Sequence, residues 1–421
     1  MHITKGVERC RDNSGIHRLT QRNQANVILK ATTPDPLMLD AGSLRDPLRL
    51  GRLLRSEAPM RRVTTSRGFP GWLATRHDDC SAALRHPQLL EDAKRATVVL
   101  GLRRDDLVGS PHPATVLLES HMLNSDPPRH ARLRSLVGRS LTEQYARQLR
   151  SHVAETADVL LDRVSRLAPG TGIDLIESFA RPLSADVVRT MLGMPAADVG
   201  ALVEWTRTIV ASVPGEELTR AATEAVSYVD GLIASKRERP TEDLMSELVH
   251  VSAEGDRLTR DELATIALLL IGASHDTTIR FIGNAVLALL SDPEHTGSLR
   301  ADPELLPRAV EELTYHDGFA NMAQHRIAAR PLELGGVLVQ EGETVVVSLL
   351  TVDRGAGRAD TGTSGMGLHH CLGTPLARLE ACIAVERLIT RFEGLRAAAP
   401  PEELRHSVSE RGPESLLVRI G

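Results

Sequence analysis

Residues 364–378 read SGMGLHHCLGTPLAR, and this stretch decides the fold more than any other part of the chain. A single cysteine, Cys371, stands between glycine-bearing turns and directly before a run typical of a helix. The N-terminus of such a helix favours negative charge through its free N–H groups and its dipole, which suits a thiolate. Gly365, Gly367 and Gly373 allow the backbone to approach a flat ligand closely. Together these features indicate an axial thiolate offered to a haem iron.

Simpler interpretations of Cys371 stay open on these residues alone. A lone cysteine is more often a small buried apolar residue than a ligand. His369, His370 and Cys371 could belong to a zinc site, but zinc usually takes four ligands and no second pair at zinc-finger spacing is present. The chain also has no Cys-x-x-Cys-His segment, so covalent attachment of a c-type haem is not supported.

The composition is that of a soluble globular protein. The chain has 421 residues, of which 42% are hydrophobic and 25% charged, and this length can bury a large core. A net charge of -5 gives no general attraction to nucleic acid or to an anionic membrane. Aromatic residues make up only 2%, which argues against a surface that stacks on bases. We therefore expect neither a nucleic-acid partner nor a membrane.

The cysteines and the N-terminal residues predict a cytoplasmic protein. Cys10, Cys80, Cys371 and Cys382 are scattered, so a disulfide framework is not expected and a reducing compartment fits. The N-terminal residues are charged and contain no apolar core stretch, so they do not form a signal peptide. Residues 1–35 lack periodicity and predict a loose tail, whereas we expect residues 36–421 to form a single domain.

Hydrophobic periodicity predicts a mainly α fold with a small β region. A hairpin is expected over residues 60–75, where apolar runs flank a Gly-Phe-Pro-Gly turn, and short strands over 332–350. One long helix over 261–290 is too apolar to lie on the surface, so it should cross the core. The other expected helices begin or lie at residues 129–137, 142, 148–166, 302–315 and 375–392.

The long helix carries the second candidate site, since residues 272–278 read GASHDTT. Asp and Thr have poor helix propensity, and Ser and Thr compete for backbone carbonyls and bend helices. The stretch therefore predicts a kink with room for O2 and a water, where Asp276 and Thr277 relay protons. The alternative is a polar kink whose groups are satisfied by their neighbours.

The cysteine loop and this helix, in this order, resemble those of a bacterial cytochrome P-450, a haem-thiolate monooxygenase. Residues 122–134 (MLNSDPPRHARLR) are similar to the helix with which this family grips the haem propionates. Residues 324–328 (QHRIA) resemble the segment whose arginine also binds a propionate. The resemblance extends over most of the chain, from about residue 35 to its end, and implies the cytochrome P-450 fold with a long central helix over a haem.

The resemblance implies a role for each matching residue. The cofactor would be haem b (iron protoporphyrin IX), with Cys371 as the iron ligand. Haem propionates are anions, for which Arg and His side chains are natural partners. The expected propionate-binding residues are His130, Arg134, Arg326 and His369. The expected proton-delivering residues are Asp276 and Thr277.

The chain departs from the family pattern around the cysteine loop. Tyr315 stands three residues after Glu312, where the family has the arginine of a buried ionic triad, and Arg354 matches the third member. The segment between Arg354 and the cysteine loop is shorter than usual. Ser364 stands where the loop normally has Phe, and Ser274 replaces a helix glycine. We expect these changes to weaken the support of the thiolate.

The resemblance implies a monooxygenase that hydroxylates or epoxidises an apolar secondary metabolite of polyketide or terpenoid type. Electrons would come from a ferredoxin and its reductase, because the chain has no flavin or iron–sulfur motif. The ferredoxin would dock on a basic surface near the cysteine loop that includes Arg378. Specificity should reside in residues 85–110, 175–215 and 319–322. The alternatives are a haem-poor or haem-free scaffold that activates a partner enzyme such as a glycosyltransferase, and a degenerate chain that folds poorly.

Overall fold

The computed structural model describes residues 36–39, 60–65, 70–99, 112–118, 120–167, 172–211, 215–253, 256–316, 325–347, 367–398 and 412–420. The predicted N-terminal tail, residues 1–35, lies outside these ranges. The single domain over 36–421 stays a prediction.

Helices dominate the described chain, as the periodicity predicts. The α-helices are α1 (His77–Arg85), α2 (Ala93–Val99), α3 (Pro113–Leu118), α4 (Arg129–Ser140), α5 (Glu143–Gln148), α6 (Arg150–Ser165), α7 (Arg181–Leu192), α8 (Val199–Ala211), α9 (Glu216–Glu238), α10 (Leu244–His250), α11 (Arg260–Ser291), α12 (Pro293–Ala301), α13 (Leu306–His316) and α14 (Thr374–Arg391). Shorter turns are the 3-10 segments Met122–Asn124, Ala196–Asp198, Pro303–Leu305 and Gly367–His369, and the π turn Ile176–Ala180.

The strands are short and form a small β region beside the helices. They are β1 (Leu37–Leu39), β2 (Met60–Thr65), β3 (Pro70–Ala74), β4 (Leu89–Leu90), β5 (Gly172–Asp174), β6 (Ser252–Ala253), β7 (Asp256–Arg257), β8 (Arg326–Ala328), β9 (Leu332–Leu334), β10 (Val337–Val339), β11 (Thr344–Val347), β12 (Arg396–Ala397) and β13 (Leu417–Arg419). The largest sheet has the strand order β1-β2-β3-β11-β8-β4. Two further sheets pair β10 with β9 and β6 with β7, and in the last sheet β13 lies between β12 and β5.

The predicted hairpin over residues 60–75 is confirmed, because β2 and β3 pair in antiparallel register with Val63 opposite Gly71. Strand β11 pairs with the other edge of β3. This approach requires glycine at position 71, where a Cβ would lie 2.7 Å from the carbonyl oxygen of Thr344. Strand β8 continues the sheet on the far side of β11, and β4 pairs with β8. The sheet thereby places Arg326, the first residue of β8, beside the end of β4.

Helix α11 is the predicted long helix, and it differs from the expected 261–290 by one residue at each end. Its 32 residues span roughly 48 Å at the standard rise. It begins at a capping box, in which the Thr259 side chain accepts from the Glu262 backbone N–H and the Glu262 side chain accepts from that of Thr259. Helices α7, α8, α9 and α14 pack around it, so its apolar residues are buried on several sides.

By length and composition alone, α11 is the one described helix that could cross a membrane. The buried core helix of a soluble protein meets the same criterion, and 59% of its most apolar window is buried inside the protein. Its burial against four neighbouring helices accounts for its apolar composition without a membrane.

Helix α4 is held against the start of α11 by Arg132. Its guanidinium donates to the carboxylates of Asp256 and Glu262, with a distance of 2.6 Å from Nη1 to Glu262 Oε1. These contacts join the helix that carries His130 and Arg134 to the helix that carries Asp276 and Thr277. The two predicted sites are therefore connected through the N-terminal end of α11.

Candidate active site

A pocket lies where α11 faces the cysteine loop and α4. Its volume is about 1070 Å³, counting the space that opens to solvent. The walls are predominantly apolar, which is usual for pockets that hold a cofactor or a small molecule. The apolar lining residues include Leu123, Val137, Met191, Ile266, Leu270 and Leu376.

Cys371 lines this pocket between a 3-10 turn and the start of α14 at Thr374. Its side chain is exposed and forms no disulfide. Gly367, in the turn before it, has a φ of +73°, and a Cβ there would lie 3.0 Å from the carbonyl oxygen of Leu84. The positive φ and the close carbonyl oxygen both explain why position 367 needs glycine.

The other two glycines of the loop differ from Gly367. Gly373 has an ordinary φ of -80°, and a Cβ there would lie 3.7 Å from Cys371 Sγ, which is normal van der Waals contact. Gly365 lies outside the described residues, together with Ser364 and Arg354.

Three of the predicted propionate-binding residues meet in one buried cluster. The rings of His130 on α4 and His369 in the cysteine loop lie 4.2 Å apart between centroids. Arg326 Nη2 lies 2.6 Å from Glu91 Oε1, and His369 Nδ1 lies 2.6 Å from Glu91 Oε2. The second contact has an unfavourable angle for a hydrogen bond, so we treat it as electrostatic. Glu91, at the end of β4, therefore bridges β8 and the cysteine loop.

Several buried nitrogen atoms in this cluster have no hydrogen-bonding partner among the described residues. They include both ring nitrogens of His130, Nε of Arg326 and Nε2 of His369. His130 is only 1% exposed and Arg326 is 4% exposed, so water does not easily replace the missing partners. Buried polar groups are normally hydrogen-bonded, and each exception calls for an explanation such as a ligand. The donor atoms here suit an anion with several acceptor oxygens.

The electrostatics of the cluster favour added negative charge. Burial, with a further contribution from the positive charges of His369 and Arg134, lowers the pKa of His130 to about 4. Burial likewise lowers the pKa of Arg134. Both shifts mean that the protein groups alone do not fully support the charged forms of these side chains. An anion placed among them would raise the pKa of both side chains.

Arg134, the fourth predicted propionate-binding residue, lines the pocket on the same helix as His130. Its Nη2 donates to the backbone carbonyl of His370. This contact joins α4 directly to the residue before Cys371. The predicted proximity of His130 and Arg134 to the cysteine loop is therefore present in the structure.

The predicted proton-relay residues lie on α11, but the pocket reaches only one of them. Thr277 lines the pocket, and its Oγ1 donates to the carbonyl oxygen of Ala273 over 2.5 Å. Asp276 is not among the lining residues, and its Oδ2 accepts from Arg280 Nε at 3.0 Å. The helix runs unbroken through 272–278, so the predicted kink does not interrupt it. The competition for a backbone carbonyl is nevertheless seen at Thr277.

Comparison with known proteins places these features in one family. The chain is 39% identical to cytochrome P450 107B1 of Saccharopolyspora erythraea over 405 residues, which are 92% of this chain and 98% of that protein. It is 38% identical to the cytochrome P450 monooxygenase PikC of Streptomyces venezuelae, over 89% of this chain and 92% of PikC. No protein-family model matches the chain.

Comparison with solved structures gives the same family as the sequence comparison. The Bacillus subtilis cytochrome P450 PksS of the bacillaene polyketide synthase superposes with a TM-score of 0.80 at 30% identity. The superposition covers 91% of this chain and 98% of PksS. This chain is a cytochrome P450.

As a P450, the protein is an oxidoreductase of the monooxygenase type with haem b as its cofactor. The residues present fit that cofactor. Unsatisfied buried nitrogens at His130, Arg326 and His369 suit the propionate carboxylates, and the apolar pocket suits the porphyrin. Cys371 lines the pocket wall, where it would serve as the iron ligand. The alternative of a haem-free activator gains no support, because the P450s compared above are named as cytochromes or monooxygenases.

The zinc interpretation of Cys371 is not supported by the P450 structure. Within the residues described, no three or more His, Cys, Asp or Glu side chains are grouped so that they could hold a metal ion. His369 instead contacts Glu91 and His130.

Two residues at or near the P450 site are absent from the sequence-based predictions. Glu91 looks like a surface charge in the run LLEDAKR, and only the pairing of β4 with β8 reveals its burial. His121 precedes the turn Met122–Asn124, its Nδ1 has no partner within the described chain, and burial lowers its pKa to about 4. A signal for His121 was available, since it directly precedes the residues 122–134 that carry the family resemblance.

Of the predicted ionic triad of the P450, only Glu312 can be described in detail. It is 56% exposed, and its Oε1 accepts from Arg308 Nε at 3.1 Å, one turn earlier on α13. In the described structure Glu312 therefore pairs within its own helix and is not part of a buried ion pair. The Tyr315 side chain, Arg354 and residues 319–322 lie outside what the structure describes.

Proposed function

We propose that this P450 hydroxylates or epoxidises an apolar secondary metabolite, using O2 and two electrons delivered by a ferredoxin and its reductase. The observation that carries the proposal is the buried, incompletely hydrogen-bonded cluster of His130, Arg326 and His369 beside the Cys371 pocket. In a hydroxylation, one oxygen atom enters a C–H bond. The other leaves as water after taking up two protons and two electrons.

Different residues of the chain would bind the haem and orient the substrate. Cys371 would ligate the iron, and His130, Arg134, Arg326 and His369 would hold the propionates. When bound, haem supplies the iron at which O2 is activated. The apolar walls of the pocket would exclude water from the reacting oxygen and orient an apolar substrate.

Proton delivery is proposed for Thr277 and Asp276, in that order from the pocket. The Thr277 hydroxyl lines the pocket and can hold a proton at Oγ1 once it releases the carbonyl of Ala273. Asp276 Oδ2 accepts from Arg280, so a proton that passes through this carboxylate requires that contact to be shared or broken. Arg280 would therefore govern how readily Asp276 takes part.

The substrate class is inferred from the pocket and from one relative. The described wall is apolar, with Met191 contributing from the predicted specificity region 175–215. PksS, which is similar over most of its length, is named for a polyketide synthase. We propose a polyketide or a similarly apolar metabolite for this chain.

The electron donor is proposed to dock on a basic surface near the cysteine loop. Arg378 of α14, expected to belong to that surface, lines the Cys371 pocket and has a buried Nε, so other basic residues would have to supply most of the charge. Attraction between such a surface and an acidic ferredoxin weakens as salt rises. The protein is proposed to work in the cytoplasm, where these partners and reduced cysteines are found.

A reconstituted reaction tests this function. The haem-loaded protein is mixed with a ferredoxin, its reductase, NADPH and a panel of apolar polyketides, and products are sought by mass spectrometry under ¹⁸O-labelled O2. We expect one labelled oxygen per product, and slower turnover as salt rises. NADPH consumption without any labelled product across the panel would contradict the proposed substrate class. Equal turnover without ferredoxin would contradict the proposed electron donor.

A further inference from the structure

We infer that Glu91 is a carboxylate built into the propionate site that limits how tightly this P450 holds haem. It contacts Arg326 and His369, two of the residues proposed to hold the propionates, and so competes with the propionates for the same positive groups. The inference rests on haem binding at the pocket beside Cys371. It adds a residue whose role is to weaken that binding.

The position of Glu91 is fixed by the fold. It follows β4, whose Leu90 pairs with Ile327 of β8, and this pairing brings it beside Arg326. Its backbone N–H donates to Asp126 Oδ1 at 3.1 Å, which ties it to the residues that lead into α4. The Glu91 side chain is only 2% exposed, so its charge is poorly screened by water.

Glu91 contributes negative charge to a cluster that otherwise offers cations. Oε1 lies 2.6 Å from Arg326 Nη2, and Oε2 lies 2.6 Å from His369 Nδ1. The propionates would bring two further carboxylates to the same groups. Like charges in a poorly hydrated site repel one another strongly, so Glu91 must oppose the propionates.

When haem is absent, Glu91 stabilises the protein. Arg326 is buried, and Glu91 is the only ion-pair partner that the described structure shows for it. Removing one member of a buried ion pair leaves an uncompensated charge and destabilises the fold. Glu91 should therefore stabilise the haem-free protein and weaken haem retention in the loaded protein. A side chain with a merely structural role would stabilise both forms.

The variant Glu91→Gln removes the charge and keeps the shape. We expect haem transfer from the loaded variant to excess apomyoglobin to be slowed about tenfold, as judged from the Soret band. The melting temperature of the haem-free variant should fall, and the rise in melting temperature on haem loading should exceed that of the wild type. Glu333→Gln, at an exposed position of β9, is the matched control and should leave both readouts unchanged.

The variant Glu91→Asp keeps the charge, but its shorter side chain places the carboxylate farther from Arg326 and His369. Its rate of haem transfer to apomyoglobin should therefore lie between those of the wild type and Glu91→Gln. Faster haem loss from either variant would overturn the inference. An equal fall in melting temperature with and without haem would also overturn it. A wild type that takes up no haem would contradict haem binding itself, and this inference with it.

Discussion

Burial of His130 predicts that the haem-free protein loses stability in mild acid. The pKa of His130 is about 4 in the folded protein, against 6.5 for an ordinary histidine. Between these values the unfolded chain binds a proton that the folded chain does not, so stability falls as the pH drops from 6.5 towards 4. Worked from these two pKa values, the loss near pH 5 is about 2 kcal/mol relative to neutral pH.

The variant His130→Asn isolates this effect. Urea denaturation of haem-free protein at neutral pH and near pH 5 gives the free energy of unfolding at each. We expect His130→Asn to lose about 2 kcal/mol less than the wild type between the two conditions. His121, whose pKa is also lowered to about 4, still titrates in the variant, so part of the acid sensitivity remains. His295→Asn, at an exposed position on α12, should behave as the wild type.

The same measurement on haem-loaded protein tests the position of His130 relative to the propionates. Propionates beside His130 would favour its protonated form, so the loss of stability on acidification should shrink in the loaded protein. Equal losses for wild type and His130→Asn would refute the assigned burial of this ring. If the wild type loses as much stability on acidification with haem as without it, the placement of His130 beside the propionates would be refuted.

Three further substitutions, two of them with a control variant, test other contacts and residues. Arg132→Met should lower the free energy of unfolding by about 1 kcal/mol, because it breaks the contacts between α4 and the start of α11. Arg147→Ala, in an exposed pair with Glu143, should change it by less than about 0.5 kcal/mol. Thr277→Ala should reduce product formation about tenfold, with more of the O2 that is consumed released as peroxide. Gly367→Ala should cost about 1–2 kcal/mol and lower the haem content, whereas Gly172→Ala, which meets no clash, should do neither.

The fold was largely predictable because its main signals are local. The capping box at Thr259 marks the start of α11, and its apolar residues on either side of the polar stretch 272–278 predict its length, so both ends lie within one residue of the predicted bounds. The hairpin of β2 and β3 follows from a glycine- and proline-bearing turn between apolar runs. His130 and Arg134 could be placed together because residues four apart share a helix face.

The rest of the site depends on contacts between distant segments. Glu91 becomes part of the cluster only because β4 pairs with β8, which no local pattern around LLEDAKR indicates. Glu312 is exposed and pairs with Arg308 on the same helix, which the family pattern of a buried triad does not indicate. The contact between Asp276 and Arg280 was accessible from the sequence, since opposite charges four residues apart on a helix commonly pair.

We infer above all that Cys371 supplies the thiolate ligand of the haem iron. Haem-loaded protein, reduced under carbon monoxide, should show the red-shifted Soret band that a thiolate ligand produces. Cys382→Ser is the matched control, because burial raises the pKa of the Cys382 thiol to about 11 and keeps it protonated. We predict that the wild type and Cys382→Ser show the thiolate-type band and that Cys371→Ser does not. A thiolate-type band in Cys371→Ser, or a wild type that binds no haem, would contradict the account.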